Sequence, residues 1–65
     1  MQVTSATGQL VGYFDGEYVA SNTGIMLYRV DGDEVYTYDP NAKLLGYLTG
    51  NVANSISGAT LFKLS

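Results

Sequence analysis

Gly8-Gln9-Leu10-Val11-Gly12-Tyr13-Phe14-Asp15-Gly16 is the stretch that decides the fold, because the chain repeats it. Gly24-Ile25-Met26-Leu27-Tyr28-Arg29-Val30-Asp31-Gly32 is a second copy, and Ala42-Lys43-Leu44-Leu45-Gly46-Tyr47-Leu48-Thr49-Gly50 a third. Gly58-Ala59-Thr60-Leu61-Phe62-Lys63-Leu64-Ser65 is a fourth, cut short by the end of the sequence. The starts lie 16, 18 and 16 residues apart. A fixed short period of this kind signals a supersecondary unit stacked on copies of itself.

Each copy reads as a strand, a tight turn and a return strand. Asp15-Gly16, Asp31-Gly32 and Thr49-Gly50 mark the turns. Asp-Gly between apolar runs predicts a hairpin of type I′, whose two central residues both take positive φ. The return strands are expected at Tyr18–Ser21, Val35–Tyr38 and Val52–Ser55. Asn22-Thr23-Gly24, Asp39-Pro40-Asn41 and Ser57-Gly58 carry loop chemistry between copies. No segment shows an apolar period of 3.6 with caps, so no helix is expected.

The fourth copy lacks a return strand, and the first residues supply one. Val3-Thr4-Ser5-Ala6-Thr7-Gly8 aligns with Val19-Ala20-Ser21-Asn22-Thr23-Gly24. The N-terminal strand is therefore expected to pair with Leu61–Leu64. That closes an all-β ring of four hairpins, which removes the free strand edges that invite aggregation. The chain reads as a single domain over 1–65, with copies at about 8–23, 24–41, 42–57, and 58–65 completed by 1–7.

Stacked copies form columns. Val11, Leu27, Leu45 and Leu61 make one; Phe14, Val30, Leu48 and Leu64 make another. Three residues apart on a regular strand, the two columns face opposite sides. One face packs the core and the other needs a cover, for which a second subunit is the simplest candidate. A third column alternates Gly12, Tyr28, Gly46, Phe62, so a ring can lie over the glycine of a neighbouring copy. A fourth alternates Tyr13, Arg29, Tyr47, Lys63.

Composition narrows the function. A chain of 65 residues builds a marginal core, and small scaffolds usually add a staple. With no Cys and no His, disulfides and thiolate or imidazole metal sites are excluded, which leaves association with its own copies. The net charge is −3, and three cations (Arg29, Lys43, Lys63) do not form the basic stripe a nucleic-acid polymer requires. No apolar run is long enough to span a bilayer as a helix. Met1-Gln2-Val3-Thr4-Ser5 lacks the features of a signal peptide, and absent cysteines fit a cytoplasmic setting.

These residues resemble a family of short bacterial and viral proteins, the four-fold β-flower proteins. The likeness rests on the recurring pattern Gly-x-φ-φ-Gly-Tyr-φ-x-Gly, with φ apolar, and covers nearly the whole chain. It implies four hairpin petals about a central axis and no catalytic residues. The third copy departs from the pattern, with Ala42 for the leading glycine and a longer link at Asp39-Pro40-Asn41.

Catalysis is not expected, since the usual general base and thiol nucleophile are absent. Asp15, Glu17, Asp31, Asp33, Glu34 and Asp39 all lie in or beside turns, and Asp31-Gly32-Asp33-Glu34 lacks the spacing of a calcium loop. No cofactor or metal is expected. The sharper reading concerns Tyr13, Arg29, Tyr47 and Lys63 as ligand-binding residues: two rings to stack on bases, and two cations to hold phosphate. The plainer reading makes the two cations solvated ends whose stems cover apolar surface. Asn51, Asn54, Ser55 and Ser57 are either a polar lining or ordinary loop residues. The leading expectation is an oligomeric, non-enzymatic binder of a small anionic or cyclic-nucleotide ligand, such as a viral sponge for a host signalling nucleotide in the host cytoplasm. The rival is a structural or protein-interaction module with no small ligand.

Overall fold

Alternating apolar residues, punctuated by glycine at six of the seven reversals, give eight short strands and no helix. In the computed structural model, which describes residues 1–65, these are β1 (Gln2–Thr4), β2 (Leu10–Phe14), β3 (Tyr18–Ser21) and β4 (Met26–Asp31). They continue as β5 (Glu34–Thr37), β6 (Leu44–Thr49), β7 (Val52–Ser55) and β8 (Thr60–Leu64). All neighbours are antiparallel, and the order β1 to β8 closes into a barrel. The expected seam is present: Val3 pairs with Leu64 and Thr4 with Lys63. Beyond it, Gln2 and Ser65 each donate an N–H to the other's carbonyl, both at 2.9 Å. The second return strand lies one residue earlier than its sequence pattern suggests, at Glu34–Thr37 rather than Val35–Tyr38.

The turns differ from type I′. Asp31 pairs with Glu34 and Thr49 with Val52, so the two-residue loops are Gly32-Asp33 and Gly50-Asn51. Only the glycines take positive φ, at 64° and 60°. Glycine first with positive φ, followed by a residue with negative φ, is the φ pattern of a type II′ turn. The first hairpin has the same spacing, closed by the Asp15 N–H donating to the Tyr18 carbonyl at 3.2 Å. There Asp15 Oδ1 accepts the N–H groups of Glu17 (2.9 Å) and Tyr18 (2.7 Å). Those bonds, Tyr18's foremost, hold the Asp15 carboxyl below its usual pKa.

The two apolar columns do not face opposite sides. In every copy the register slips by one residue on the leading strand, leaving Val11, Leu27, Leu45 and Leu61 unpaired at a β-bulge. A bulge breaks the strict alternation of faces. Val11, Leu27 and Leu61 therefore pack against the same core as Phe14, Val30, Leu48 and Leu64. Leu45, at the third bulge, is half-buried. The second apolar face, which seemed to need a covering subunit, is thus absorbed by the barrel itself. The core comprises Val3, Val19, Val30, Val35, Ala53, Phe62 and Leu64, one or two from each of six strands.

The glycine column also has a different cause. Tyr28 and Phe62 pack on each other, with ring centroids 5.3 Å apart, and the glycines answer to backbone. A Cβ on Gly12 lies 1.8 Å from the carbonyl oxygen of Ala20, and one on Gly46 lies 1.9 Å from that of Asn54. Each crowding atom belongs to the glycine's own hairpin partner.

Three of the four links share one design. Ser5, Ser21 and Ser55 each accept, through Oγ, the N–H four residues on, and pair their hydroxyl with that of Thr7, Thr23 or Ser57. The link from β5 to β6 is longer by two residues. Thr37 Oγ1 accepts the Lys43 N–H at 3.0 Å, while Asp39 Oδ1 accepts those of Asn41 and Ala42 at 2.8 and 2.9 Å. Ala42 stands where the other copies have their leading glycine (Gly8, Gly24, Gly58) and takes φ of 45°, a conformation a side chain resists. Ala42→Gly is therefore expected to raise stability, against the usual direction for this exchange, by about 0.5–1 kcal/mol. Paired urea titrations of the two proteins measure it, and a loss of stability would show that the Ala42 side chain contributes more packing than strain.

Candidate functional site

Departure from the repeat creates the one sizeable groove of the molecule. The longer β5–β6 link lies over the outer wall of the barrel instead of reversing tightly. Between it and the wall is an open groove of about 470 Å³, lined by Tyr18, Arg29, Thr37, Tyr38, Asp39, Pro40 and Ala42. Strand register supplies the floor, with Tyr18 on β3 facing Arg29 on β4; Tyr36 on β5 faces Arg29 from beyond the groove lining. Alternation turns these three side chains outward, because Val19, Val30 and Val35 beside them point into the core. Tyr38 comes from the link, and its ring meets that of Tyr18 edge-on, with centroids 5.7 Å apart.

Charge is concentrated around Arg29. Its Nε lies 3.6 Å from Glu17 Oε2, and both side chains are substantially exposed, so the pair contributes less than about 1 kcal/mol to stability. No acceptor of the protein is within hydrogen-bonding distance of the guanidinium, which leaves its terminal fork free to receive an anion in bidentate fashion. Tyr36 donates its O–H to Glu34 Oε1 at 2.7 Å, which holds the phenol protonated above its usual range. Asp39 is held below the usual carboxylate pKa, chiefly by the Ala42 N–H, with Thr37, Asn41 and Lys43 adding to the effect. Its charge is therefore fixed at neutral pH and serves the link. No cluster of acids suited to a metal ion occurs.

Of the four residues singled out in the sequence, only Arg29 lines this groove. Tyr13, Arg29, Tyr47 and Lys63 occupy equivalent outward positions on β2, β4, β6 and β8. Those are alternate strands of a closed barrel, so the four side chains point to four different sides of one subunit. A site using all of them needs more than one copy of the chain. Asn54 and Ser55 face the β8 side, where Asn54 Oδ1 accepts the Thr60 hydroxyl and Ser55 holds its own link. Sequence reasoning missed Tyr18, Tyr38, Thr37, Pro40 and Ala42 as a group. The signal was the spacing of 18 between the second and third copies, where the others are 16.

Exposed apolar side chains gather elsewhere. Leu10, Ile25, Met26 and Ile56 are all exposed and all lie at the end of the barrel formed by the links. The turn end instead carries Asp15, Glu17, Asp31 and Asp33. No helix is present that is long and apolar enough to cross a membrane.

Comparison with known families, with curated proteins and with solved structures gives no match to this chain.

Proposed function

We propose that this protein is a non-enzymatic binder whose groove takes a small, ring-bearing anion of nucleotide type. A single observation carries the reading: a guanidinium with a free fork shares a groove of about 470 Å³ with two tyrosine rings packed edge to face. Small-molecule sites are concave, mostly apolar, and several hundred Å³ in volume. Tyrosine faces stack on planar rings, and arginine matches a phosphate or carboxylate geometrically. The absence of His and Cys from the sequence supports binding without turnover. Membership of the β-flower family, and sequestration of a host signalling nucleotide by a viral protein in the cytoplasm, belong to this proposal. Four hairpins closed in a ring support the first.

Self-association is part of the same reading, as it multiplies one groove per chain and brings Tyr13, Tyr47 and Lys63 of separate copies together. The exposed Leu10, Ile25, Met26 and Ile56 also favour a second reading, an interaction module that binds protein through its link end.

Thermal unfolding with a panel of mono- and cyclic nucleotides separates the two. A ligand of the folded state at about 100 times its Kd adds about 2.7 kcal/mol, which raises Tm of a domain this size by roughly 10–20 °C. Arg29→Gln is expected to abolish most of that shift while leaving the unliganded Tm within a few degrees. If no nucleotide shifts Tm, and native mass spectrometry shows bare oligomers, the interaction module replaces the binder.

A further inference from the structure

Arg29 does not wait unopposed for an anion. Glu17 stands beside it, and the fold fixes the base of that side chain on both sides. The Glu17 carbonyl accepts the Val30 N–H at 2.7 Å, and the Glu17 N–H donates to Asp15 Oδ1 at 2.9 Å. The same carbonyl bond recurs from Met1 to Phe14, from Asp33 to Leu48 and from Asn51 to Leu64. The barrel therefore presents one side chain at this place in every hairpin. Only at the groove does that place put a carboxylate beside a cation.

We infer that Glu17 sets the charge class the groove accepts, admitting ring-bearing monoanions and turning away dianions. The inference rests on the groove being a binding site. Glu17 and Asp39 offset Arg29 and Lys43 around it, and Glu34 and Asp31, which act on Tyr36 beside Arg29, add further negative charge. A monoanion that reaches Arg29 exchanges one carboxylate partner for another anion, and Glu17 swings out to solvent on its half-exposed side chain. A second negative charge on the ligand finds no cation left. Lys43 already lies near Asp39, and the displaced Glu17 stays close because its backbone is pinned. Like charges within a few ångströms at a protein surface oppose binding measurably at low salt.

Two probes that differ by a single charge test this: adenosine 5′-monophosphate, a dianion at pH 8, and its phosphate methyl ester, a monoanion. Calorimetric titrations at low salt compare their affinities for the natural chain and for Glu17→Gln. The natural chain is expected to bind the ester at least threefold more tightly. Glu17→Gln is expected to gain roughly three- to tenfold for the monophosphate and to erase the preference. Unfolding curves of the two proteins should coincide closely, since an exposed ion pair contributes little to stability. An unchanged preference in Glu17→Gln overturns the role of Glu17 and leaves the groove standing. If neither probe binds either protein, the groove reading falls and this inference falls with it. Binding of the monophosphate only by Glu17→Gln supports the inference in its strongest form.

Discussion

Gly46→Ala is expected to cost about 3 kcal/mol or more, a large fraction of the stability of a domain this size. A methyl group at Gly46 meets the Asn54 carbonyl oxygen at 1.9 Å, the Asn54 carbonyl carbon at 2.8 Å and the Ser55 Cα at 2.7 Å. All three are backbone atoms of β7, so no rotamer change relieves the overlap. Gly12→Ala, with the same crowding from Ala20 and Ser21, should behave alike. Gly16 is the control. Its φ of 106° resists a side chain, yet nothing lies within 4 Å of the added atom, and the cost there should stay near about 1 kcal/mol. Urea denaturation followed by circular dichroism ranks the three. A cost at Gly46 no larger than at Gly16 would mean that the β6–β7 ladder shifts freely, and that the two glycines are not what lets it close.

Phe62→Ala is expected to be comparably severe, at about 3–5 kcal/mol. Phe62 is 1% exposed, the bulkiest side chain in the core, and its ring packs against Tyr28 from across the barrel. A domain of this size has roughly 3–10 kcal/mol in total, so the variant should lose about a third of its stability or more. Phe62→Leu keeps most of the volume and should retain the fold at a lower melting temperature. Thermal scans of the three proteins give the ranking. Cooperative melting of Phe62→Ala within a few degrees of the natural chain would show that the core collapses around the lost ring.

Hairpin pairing was legible because its determinants are local. A glycine at six of the seven reversals, alternation on either side and an unpaired final strand together leave few ways to connect the chain. The bulges were not legible. Nothing in the composition of Leu27 distinguishes an unpaired residue from a paired one, and a single such residue moves its whole column to the other face. The I′ turns failed for a related reason: Asp31 and Thr49 read as turn residues, but the ladder carries them as its last pairs. At the site, columns drew attention to what the copies share, and so yielded Arg29 alone. The groove comes from what the copies do not share, the two extra residues after Thr37 and the tyrosine they carry across to Tyr18.

The reciprocal bonds between Gln2 and Ser65 have a consequence for how such a barrel is carried. Entry and exit of the polypeptide lie side by side at the acidic end, away from the links that build the groove. A host protein can therefore accommodate this unit within one of its own loops, spanning no more than the width of a strand pair. Segments grafted onto both ends emerge together in one direction and leave the opposite pole clear.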